Sequence, residues 1–168
     1  MIPPINFKKW IDDNRKLLKP PVGNQVIYKD TDFIIMVVGG PNIRKDYHVN
    51  KGEEFFYQIE GDMILRIREK GKPKDINIKE GEIFLLSPNI PHSPQRFKNT
   101  VGLVIEKKRQ SNELDGFQWY CDNCHAVLYN KNIELTDIVK QLPPLFDAFW
   151  NDEIARTCKH CSSYLERV

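Results

Sequence analysis

The feature that most constrains this chain is a central region, from Gln25 to about Lys108, in which short apolar runs alternate with turn residues. The runs have the length and residue content of β-strands: Val26–Lys29, Phe33–Val38, Phe55–Ile59, Met63–Arg68, Ile76–Ile78, Ile83–Leu86 and Val101–Ile105. The turn signals between them are Gly39-Gly40-Pro41, Gly61-Asp62, Lys70-Gly71-Lys72-Pro73 and Glu80-Gly81. Many short strands at this spacing indicate a β-sandwich or a small β-barrel, so we predict a mainly β fold.

An N-terminal helix is predicted before this region. Apolar residues within 7–18 fall on one stripe at helical spacing: Phe7, Trp10, Ile11, Leu17 and Leu18. Asn6 is a suitable N-cap, because its side chain can accept a hydrogen bond from a free backbone N–H of the first turn. Pro20-Pro21 should stop the helix.

The region after the strands is predicted to be a separate unit. Residues 109–116 are polar and indicate a boundary, so we divide the chain into a domain, 1–110, and a tail, 111–168. Residues 136–151 of the tail have helical periodicity, and Pro143-Pro144 should break or restart that helix.

Length, charge and the N-terminal sequence argue against several classes of protein. With 168 residues the chain can form one domain with a substantial core and a small appendage. The net charge of +2 arises from interspersed charges, so no nucleic acid is expected as a partner. No apolar run approaches the length of a membrane span, and the N-terminus lacks the segments of a signal peptide. We therefore expect a soluble, cytoplasmic protein without a membrane partner.

Two histidines and a glutamate have spacing that suits a metal site. His48 and Glu54 flank a Lys-Gly turn between strand-like runs, and His92 lies in a polar cluster after the turn at Gly81. Two imidazoles and one carboxylate can fill one face of a metal and leave the other open, which suits a non-haem Fe(II) oxygenase. A structural or surface role is the commoner alternative for any single histidine, so the prediction depends on the spacing.

Two arginines and a second glutamate suggest what this site binds. Arg44 precedes His48 by four residues and Arg96 follows His92 by four, so each can share a strand face with its histidine. Glu106 ends an alternating run and, if buried, needs a partner, either a substrate or an arginine. Two cations and an acid around Fe(II) indicate a small anionic substrate, and arginine favours a carboxylate. The alternative is that the arginines lie on the rim and Glu106 only marks a strand end.

The four cysteines form two CxxC pairs, Cys121/Cys124 and Cys158/Cys161, with 33 residues between them. Four thiolates suit tetrahedral Zn(II) or rubredoxin-like iron, and the spacing does not choose between the two metals. A structural role is predicted, because four thiolates leave no open position. Free thiols or a redox pair are the alternatives, and neither explains two pairs.

The spacing around the histidines resembles the two motifs of the cupin family. The pattern H-x-N-x-x-x-E-x-x-x-x-x-x-G from His48 to Gly61 resembles the first motif, and Gly81 to His92 resembles the second. Many cupins have a further histidine where this chain has Asn50, and an asparagine where it has Arg96. The resemblance implies a jelly-roll barrel with the metal inside and a ligand set of two histidines and one glutamate.

A more specific resemblance spans nearly the whole chain. The segments that carry it, together with the CxxC pairs, are Pro20-Pro21-Val22-Gly23-Asn24, Val38-Gly39-Gly40-Pro41-Asn42, Asp46-Tyr47-His48, Glu54-Phe55-Phe56-Tyr57-Gln58 and Asn89-Ile90-Pro91-His92-Ser93-Pro94-Gln95-Arg96-Phe97. They resemble the 3-hydroxyanthranilate 3,4-dioxygenase family. That family implies ring cleavage of 3-hydroxyanthranilate with O2 to 2-amino-3-carboxymuconate semialdehyde, on the kynurenine route to quinolinate and NAD.

The same resemblance assigns roles to residues of this chain. It implies catalytic Fe(II) held by His48, Glu54 and His92, and a second iron on the four cysteines. The residues implied on the substrate side are Arg44, Glu54, Arg96, Glu106 and Asn24. A homodimer is also implied, because jelly-roll sheets often pair across an exposed edge.

Two other readings of the sequence stay open. The chain could be another cupin oxygenase or isomerase that acts on a different small acid. It could also be a non-catalytic cupin sensor whose cysteine metal site contacts a partner protein.

Overall fold

The computed structural model describes residues 3–20, 23–28 and 31–167, apart from the side chain of Val139. Some residues that the sequence predictions include lie outside these ranges, namely Met1, Ile2, Pro21, Val22, Lys29 and Val168. Within the described ranges, no helix has both the length and the apolar character needed to cross a membrane.

The described residues form antiparallel strands flanked by helices near both ends. The strands are β1 (Asn24–Val26), β2 (Phe33–Gly39), β3 (Tyr47–Val49), β4 (Glu54–Glu60), β5 (Met63–Glu69), β6 (Lys72–Ile78), β7 (Ile83–Leu86), β8 (His92–Arg96), β9 (Val101–Lys107), β10 (Asp115–Tyr120) and β11 (Val127–Ile133). The α-helices are α1 (Phe7–Asn14), α2 (Ile138–Trp150) and α3 (Glu153–Arg156).

The strands make two sheets that form a cupin jelly-roll barrel. One sheet has the order β1-β2-β9-β4-β7, and the other has the order β11-β10-β3-β8-β5-β6. Neighbouring strands such as β2 and β9 are distant in the chain, as expected for a jelly roll. Alternate residues point between the sheets, where Phe56, Leu65 and Val104 belong to the buried core. The mainly β prediction is confirmed.

The N-terminal helix forms where the sequence predicted it. The Asn6 side chain accepts a hydrogen bond of 3.0 Å from the backbone N–H of Lys9, so the predicted cap is present. Helix α1 is followed directly by a short 3-10 helix, Arg15–Leu18. Ile11 and Leu18 are buried in a cluster with Val37 of β2, so the helix covers part of the outer face of the five-stranded sheet.

The predicted break in the second helix is wrong. Helix α2 continues through both Pro143 and Pro144. A proline inside a helix removes a hydrogen bond and destabilises it by about 3 kcal/mol. Burial of apolar side chains offsets this destabilisation. Leu145 and Phe149 are buried, and the Phe149 ring stacks on Trp119 of β10 at a centroid separation of 4.5 Å.

The polar stretch 109–116, predicted to be a boundary, is only partly a solvent-exposed loop. It includes the loop before β10, but Asp115 is 1% exposed and forms an ion pair with Arg109. Strand β10 pairs with β3 on one side and with β11 on the other. The segment after residue 110 therefore adds two strands to the six-stranded sheet of the barrel.

Candidate metal and substrate site

The barrel brings together the three side chains predicted as metal ligands. His48 is the middle residue of β3, Glu54 begins β4 and His92 begins β8. His48 and His92 face each other across paired strands. One ligand atom from each of the three residues lies within 4.8 Å of the others. Glu54 and His92 are buried, so few water molecules compete for their lone pairs.

Local contacts fix the orientation of His92. Its Nδ1 lies 2.9 Å from the carbonyl oxygen of Ile90, and its Nε2 lies 2.9 Å from Glu54 Oε2. A backbone carbonyl at Nδ1 favours the tautomer with its proton there, which leaves the Nε2 lone pair for the site. Burial lowers the pKa of His92, but the Glu54 carboxylate outweighs it, so the net pKa is raised in the absence of a metal.

His48 is held from the opposite side. Its Nε2 lies 3.1 Å from Asp115 Oδ2, and its ring stacks on Phe117 at a centroid distance of 5.2 Å. A carboxylate on one ring nitrogen of a histidine is the usual support for a metal ligand. Both supporting residues come from β10.

Asn50 connects two carboxylates of the site. Its Nδ2 donates to Glu54 Oε2 at 3.4 Å and to Glu106 Oε2 at 3.2 Å. Burial of Glu54 alone would raise its pKa, but His92 and His48 outweigh that effect and lower it to about 2. The Glu54 carboxylate is therefore ionised at neutral pH, as a metal ligand must be.

His48, Glu54 and His92 line a cavity of about 100 Å³ between the sheets. Its wall includes every residue predicted on the substrate side, together with apolar residues from the core and from the tail. The predicted lining residues are Asn24, Arg44, His48, Glu54, His92, Arg96 and Glu106, and the tail contributes Phe117, Leu135, Ile138 and Leu142.

Arg96 is the most deeply buried charge in the cavity wall. It is 1% exposed, its Nη1 donates to Gln58 Oε1 at 3.1 Å, and its Nε has no hydrogen-bond partner within the described residues. Gly102 leaves room for the guanidinium, because a Cβ at that position would lie 2.5 Å from Nη1. Burial lowers the pKa of Arg96 to about 10, so the group remains cationic at neutral pH.

Arg44 and Glu106 differ from Arg96 in having charged partners within the protein. Arg44 pairs with Asp46, and its guanidinium lies 5.8 Å from the ring centroid of Phe146. Glu106 pairs with Arg109 Nη1 at 2.8 Å. Burial and the nearby Glu54 raise the pKa of Glu106, although Arg109 opposes this rise. The arginine partner expected for Glu106 is present.

The sequence predictions did not include the residues after 107 that surround the site. Arg109 and Asp115 were assigned to the polar boundary 109–116, although their side chains are only 12% and 2% exposed and pair with each other beside the site. One signal was available: in the run DGFQWY, Asp115 alternates with the large apolar residues Phe117 and Trp119, which marks one face of a strand.

The four cysteines form a second group near the C-terminal end of the chain. Cys121 Sγ lies 3.5 Å from Cys161 Sγ, and Cys124 Sγ lies 3.4 Å from Cys158 Sγ. Tetrahedral ligands with metal–sulfur bonds of about 2.3 Å would be about 3.8 Å apart, so the group fits one metal. Neither His125 nor His160 belongs to the cluster of candidate ligands.

Both cysteine pairs have the same local backbone geometry. The backbone N–H groups of His125 and Ser162 donate to the carbonyls of Cys121 and Cys158, at 3.0 Å and 2.8 Å. His125 and Ser162 both have left-handed backbone conformations, with φ of 64° and 59°. Two matching turns that converge on one point are typical of a four-cysteine metal site.

An antiparallel jelly-roll barrel with a buried His/Glu/His group inside it defines the class: a cupin-fold protein with a candidate metal centre. A family model described as 3-hydroxyanthranilic acid dioxygenase matches residues 1–150. The chain belongs to this family, and the resemblance found in the sequence is confirmed.

Curated relatives agree over nearly the full length. Proteins named 3-hydroxyanthranilate 3,4-dioxygenase from Xanthomonas euvesicatoria and Paraburkholderia phytofirmans are each 52% identical, over 96% and 94% of this chain and 91% of each relative. One from Brucella anthropi is 51% identical over 94% of this chain and 88% of that relative. Among solved structures, a cupin-2 domain containing protein from Shewanella frigidimarina matches 62% of this chain and 94% of its own, with 21% identity and a TM-score of 0.48.

Proposed function

We propose that this chain is an Fe(II)-dependent enzyme that opens the aromatic ring of 3-hydroxyanthranilate with O2. The product would be 2-amino-3-carboxymuconate semialdehyde, on the kynurenine route to quinolinate and NAD. Membership of the family supports the reaction class. The observation that carries the substrate assignment is the buried Arg96 cation, whose Nε is unpartnered, in the same cavity as the His48/Glu54/His92 group.

The donor set fits a non-haem iron. Two imidazoles and one ionised carboxylate would hold the metal on one side, and the cavity lies on the other. Iron held in this way would supply the Lewis acidity and the one-electron chemistry that reaction with O2 requires. The protein's contribution is to fix these ligands and to exclude water from the cavity.

The cations of the cavity would orient the substrate. Arg96 would bind the ring carboxylate through its guanidinium, because a planar fork of N–H donors matches a carboxylate. Arg44 would assist from the side of Asp46, and Asn24 would border the ring from β1. An aromatic ring held in one orientation beside the metal would react with a large entropic advantage over the same groups in solution.

Glu106 is the residue best suited to handle a proton. Burial and the nearby Glu54 raise its pKa, so its carboxylate is a better acceptor than a free glutamate for the proton of the substrate hydroxyl. Ring opening inserts both atoms of O2 into the product, so no external reductant is needed. The proton that leaves the hydroxyl would reside on a Glu106 carboxyl oxygen until the product forms.

The four cysteines would hold a second metal, iron or zinc, with a structural role. Four thiolates fill a tetrahedral shell and leave no position for substrate or O2. The free energy of metal binding would then order the turns that carry the cysteines.

We also propose that the chain forms a homodimer through the outer face of the five-stranded sheet. Ile35, Ile105, Phe55 and Leu85 lie side by side in register across β2, β9, β4 and β7. Leu85 is 55% exposed, and Phe33 and Ile83, which lie on the same face of the sheet, are 55% and 65% exposed. A contiguous apolar row on a sheet surface favours association.

Sedimentation measurements test the dimer. Leu85→Glu should give a folded monomer, because a charge would be buried without a partner in the interface. Val127→Glu alters an equally exposed residue on β11, outside this face, and should leave the dimer intact. A Leu85→Glu protein that stays dimeric rules out this face. The cytoplasmic location stays a prediction from the sequence.

The ring-cleavage reaction has a direct test. The protein is loaded with Fe(II) without oxygen, mixed with 3-hydroxyanthranilate and then exposed to air. One O2 consumed per ring-opened product supports the proposal. A folded, iron-loaded protein that consumes no O2 contradicts it and favours the sensor reading, whereas turnover only with another small acid favours a different cupin enzyme.

A further inference from the structure

Arg109 lies between two buried carboxylates, those of Glu106 and Asp115, which contact different residues of the candidate site. It lies in the loop between β9 and β10, and its side chain is 12% exposed. Its Nη1 lies 2.8 Å from Glu106 Oε1, and its Nε donates to Asp115 Oδ1 and Oδ2 at 3.2 and 3.0 Å. One guanidinium therefore joins the end of β9 to the start of β10.

Each of the two carboxylates is also connected to a candidate metal ligand, Asp115 directly and Glu106 through Asn50. Asp115 Oδ2 lies 3.1 Å from His48 Nε2. Glu106 Oε2 accepts from Asn50 Nδ2, which also donates to Glu54 Oε2. A chain of polar contacts thus runs from His48 through Arg109 to Glu54, and Arg109 is its only cation within the described residues.

The charge balance explains why an arginine is needed here. Asp115, Glu106 and Glu54 are 1%, 4% and 6% exposed, so three acidic groups are buried around one site. Buried charges require partners, and removal of a shared cation leaves the carboxylates unpaired. A lysine carries the same charge, but its single ammonium group lacks the planar fork that reaches two carboxylates at once.

We propose that Arg109 is a positioning residue for the catalytic centre. Through Asp115 it fixes the imidazole ring of His48, and through Glu106 it fixes the carboxyl group that faces the substrate. The proposal rests on the proposed function, because it assumes that His48 binds a metal and that Glu106 faces a bound substrate. The N–H groups of Arg109 engage the two carboxylates, so its effect on the chemistry is exerted through them.

Substitution of Arg109 should produce a defined pattern. Arg109→Gln should weaken metal binding at the His/Glu site by about 10- to 100-fold, the usual effect of removing the support of a ligating histidine. In protein saturated with iron, kcat should fall while KM changes little, because Arg96 still binds the carboxylate. Arg109→Lys should recover part of the metal affinity, since it can pair with one carboxylate at a time.

Cobalt(II) is a suitable probe of the site, since its visible spectrum reports ligand geometry independently of turnover. The full-length protein is first given one equivalent of zinc to fill the cysteine site, for which four thiolates compete most strongly. Cobalt affinity and spectrum are then measured for wild type, Arg109→Gln, Arg109→Lys and Asp115→Asn. The double variant Arg109→Gln/Asp115→Asn should bind cobalt about as tightly as either single variant, because both act through His48.

Arg156→Gln is the matched control. Arg156 is 13% exposed and, like Arg109, it is held by several contacts, but these are with the C-terminal segment and not with the site. This variant should keep the cobalt affinity and spectrum of wild type, whatever its melting temperature.

Three results overturn the proposal. The first is an Arg109→Gln protein that is folded and has the cobalt affinity, spectrum and kcat of wild type. The second is an equal loss of cobalt affinity in Arg156→Gln, which would indicate general destabilisation. The third result applies if Arg109→Gln does not fold: it is an Asp115→Asn protein that binds cobalt as tightly as wild type does. Failure of the proposed function is distinguishable, because wild type itself would then bind no cobalt at the His/Glu site or show no turnover.

Discussion

Arg96 gives the sharpest prediction, because its effects on stability and on substrate binding should have opposite signs. In the substrate-free protein Arg96 is 1% exposed, and within the described residues its guanidinium donates one hydrogen bond, to Gln58. Burial lowers its pKa to about 10, which corresponds to about 3 kcal/mol of destabilisation of the charged form. This unfavourable contribution is present at every pH below about 10, where Arg96 is protonated in both the folded and the unfolded chain.

Arg96→Met removes that unfavourable contribution but also removes the hydrogen bond to Gln58, worth about 1 kcal/mol. The substrate-free protein should therefore unfold at the same temperature as wild type or a few degrees higher. Binding of 3-hydroxyanthranilate should weaken by about 3 kcal/mol, or about a hundredfold, because the substrate carboxylate would be buried without its cation.

Calorimetry without oxygen measures both effects. Affinities are compared for 3-hydroxyanthranilate and for 2-aminophenol, which lacks the carboxylate, on samples of equal iron content. Arg68→Met is the control, because Arg68 is 5% exposed but lies outside the cavity wall. Equal losses of affinity for the two compounds in Arg96→Met would refute the assigned role, and a large fall in melting temperature would refute the argument from burial.

Three further predictions follow from the two candidate metal sites. Glu54→Ala should abolish ring cleavage, since it removes the one anionic ligand; normal iron content with normal turnover would show that Glu54 is not a ligand. Cys124→Ser with Cys161→Ser should lose the second metal and some thermal stability but keep most ring cleavage per bound iron; loss of turnover in folded protein with full iron at the His/Glu site would contradict a structural role. Because the pKa of Glu54 lies near 2 in the fold, its ionised form should stabilise the metal-free protein above about pH 4.5, with the effect lost as pH falls toward 2. Glu54→Gln should flatten that part of the curve of unfolding free energy against pH, and an unchanged acid dependence would contradict the lowered pKa.

The sequence predicted the apolar strands well, because each buries a row of side chains that repeats every second residue. The run Ile83–Leu86 is β7 without change. The regions of β3 and β8 were not among the apolar runs, and a strand was expected there only because Arg44 and Arg96 are each four residues from a histidine. Strand β8 does span His92–Arg96, whereas β3 is Tyr47–Val49 and leaves Arg44 outside it. Both carry histidines and other polar groups into the barrel interior, so the functional residues themselves interrupt the apolar pattern.

The misassigned region after β9 has a different physical origin. Arg109, Glu106 and Asp115 neutralise one another only after the fold brings the end of β9 and the start of β10 together. A charged residue in isolation is expected on the surface. The continuous helix through Pro143 and Pro144 likewise depends on packing against β10, which local helix propensity does not include.

The position of β10 in the sheet limits how this chain can be shortened. A fragment that ends near residue 110 would lose the strand that pairs with Val49, His48 and Tyr47. The edge of β3 would then present unpaired N–H and C=O groups to other molecules, as exposed edges do in aggregating proteins. Such a fragment should precipitate before its metal affinity can be measured. Truncated, fused and permuted variants of this barrel therefore need to retain β10 and the strand β11 that covers its other edge.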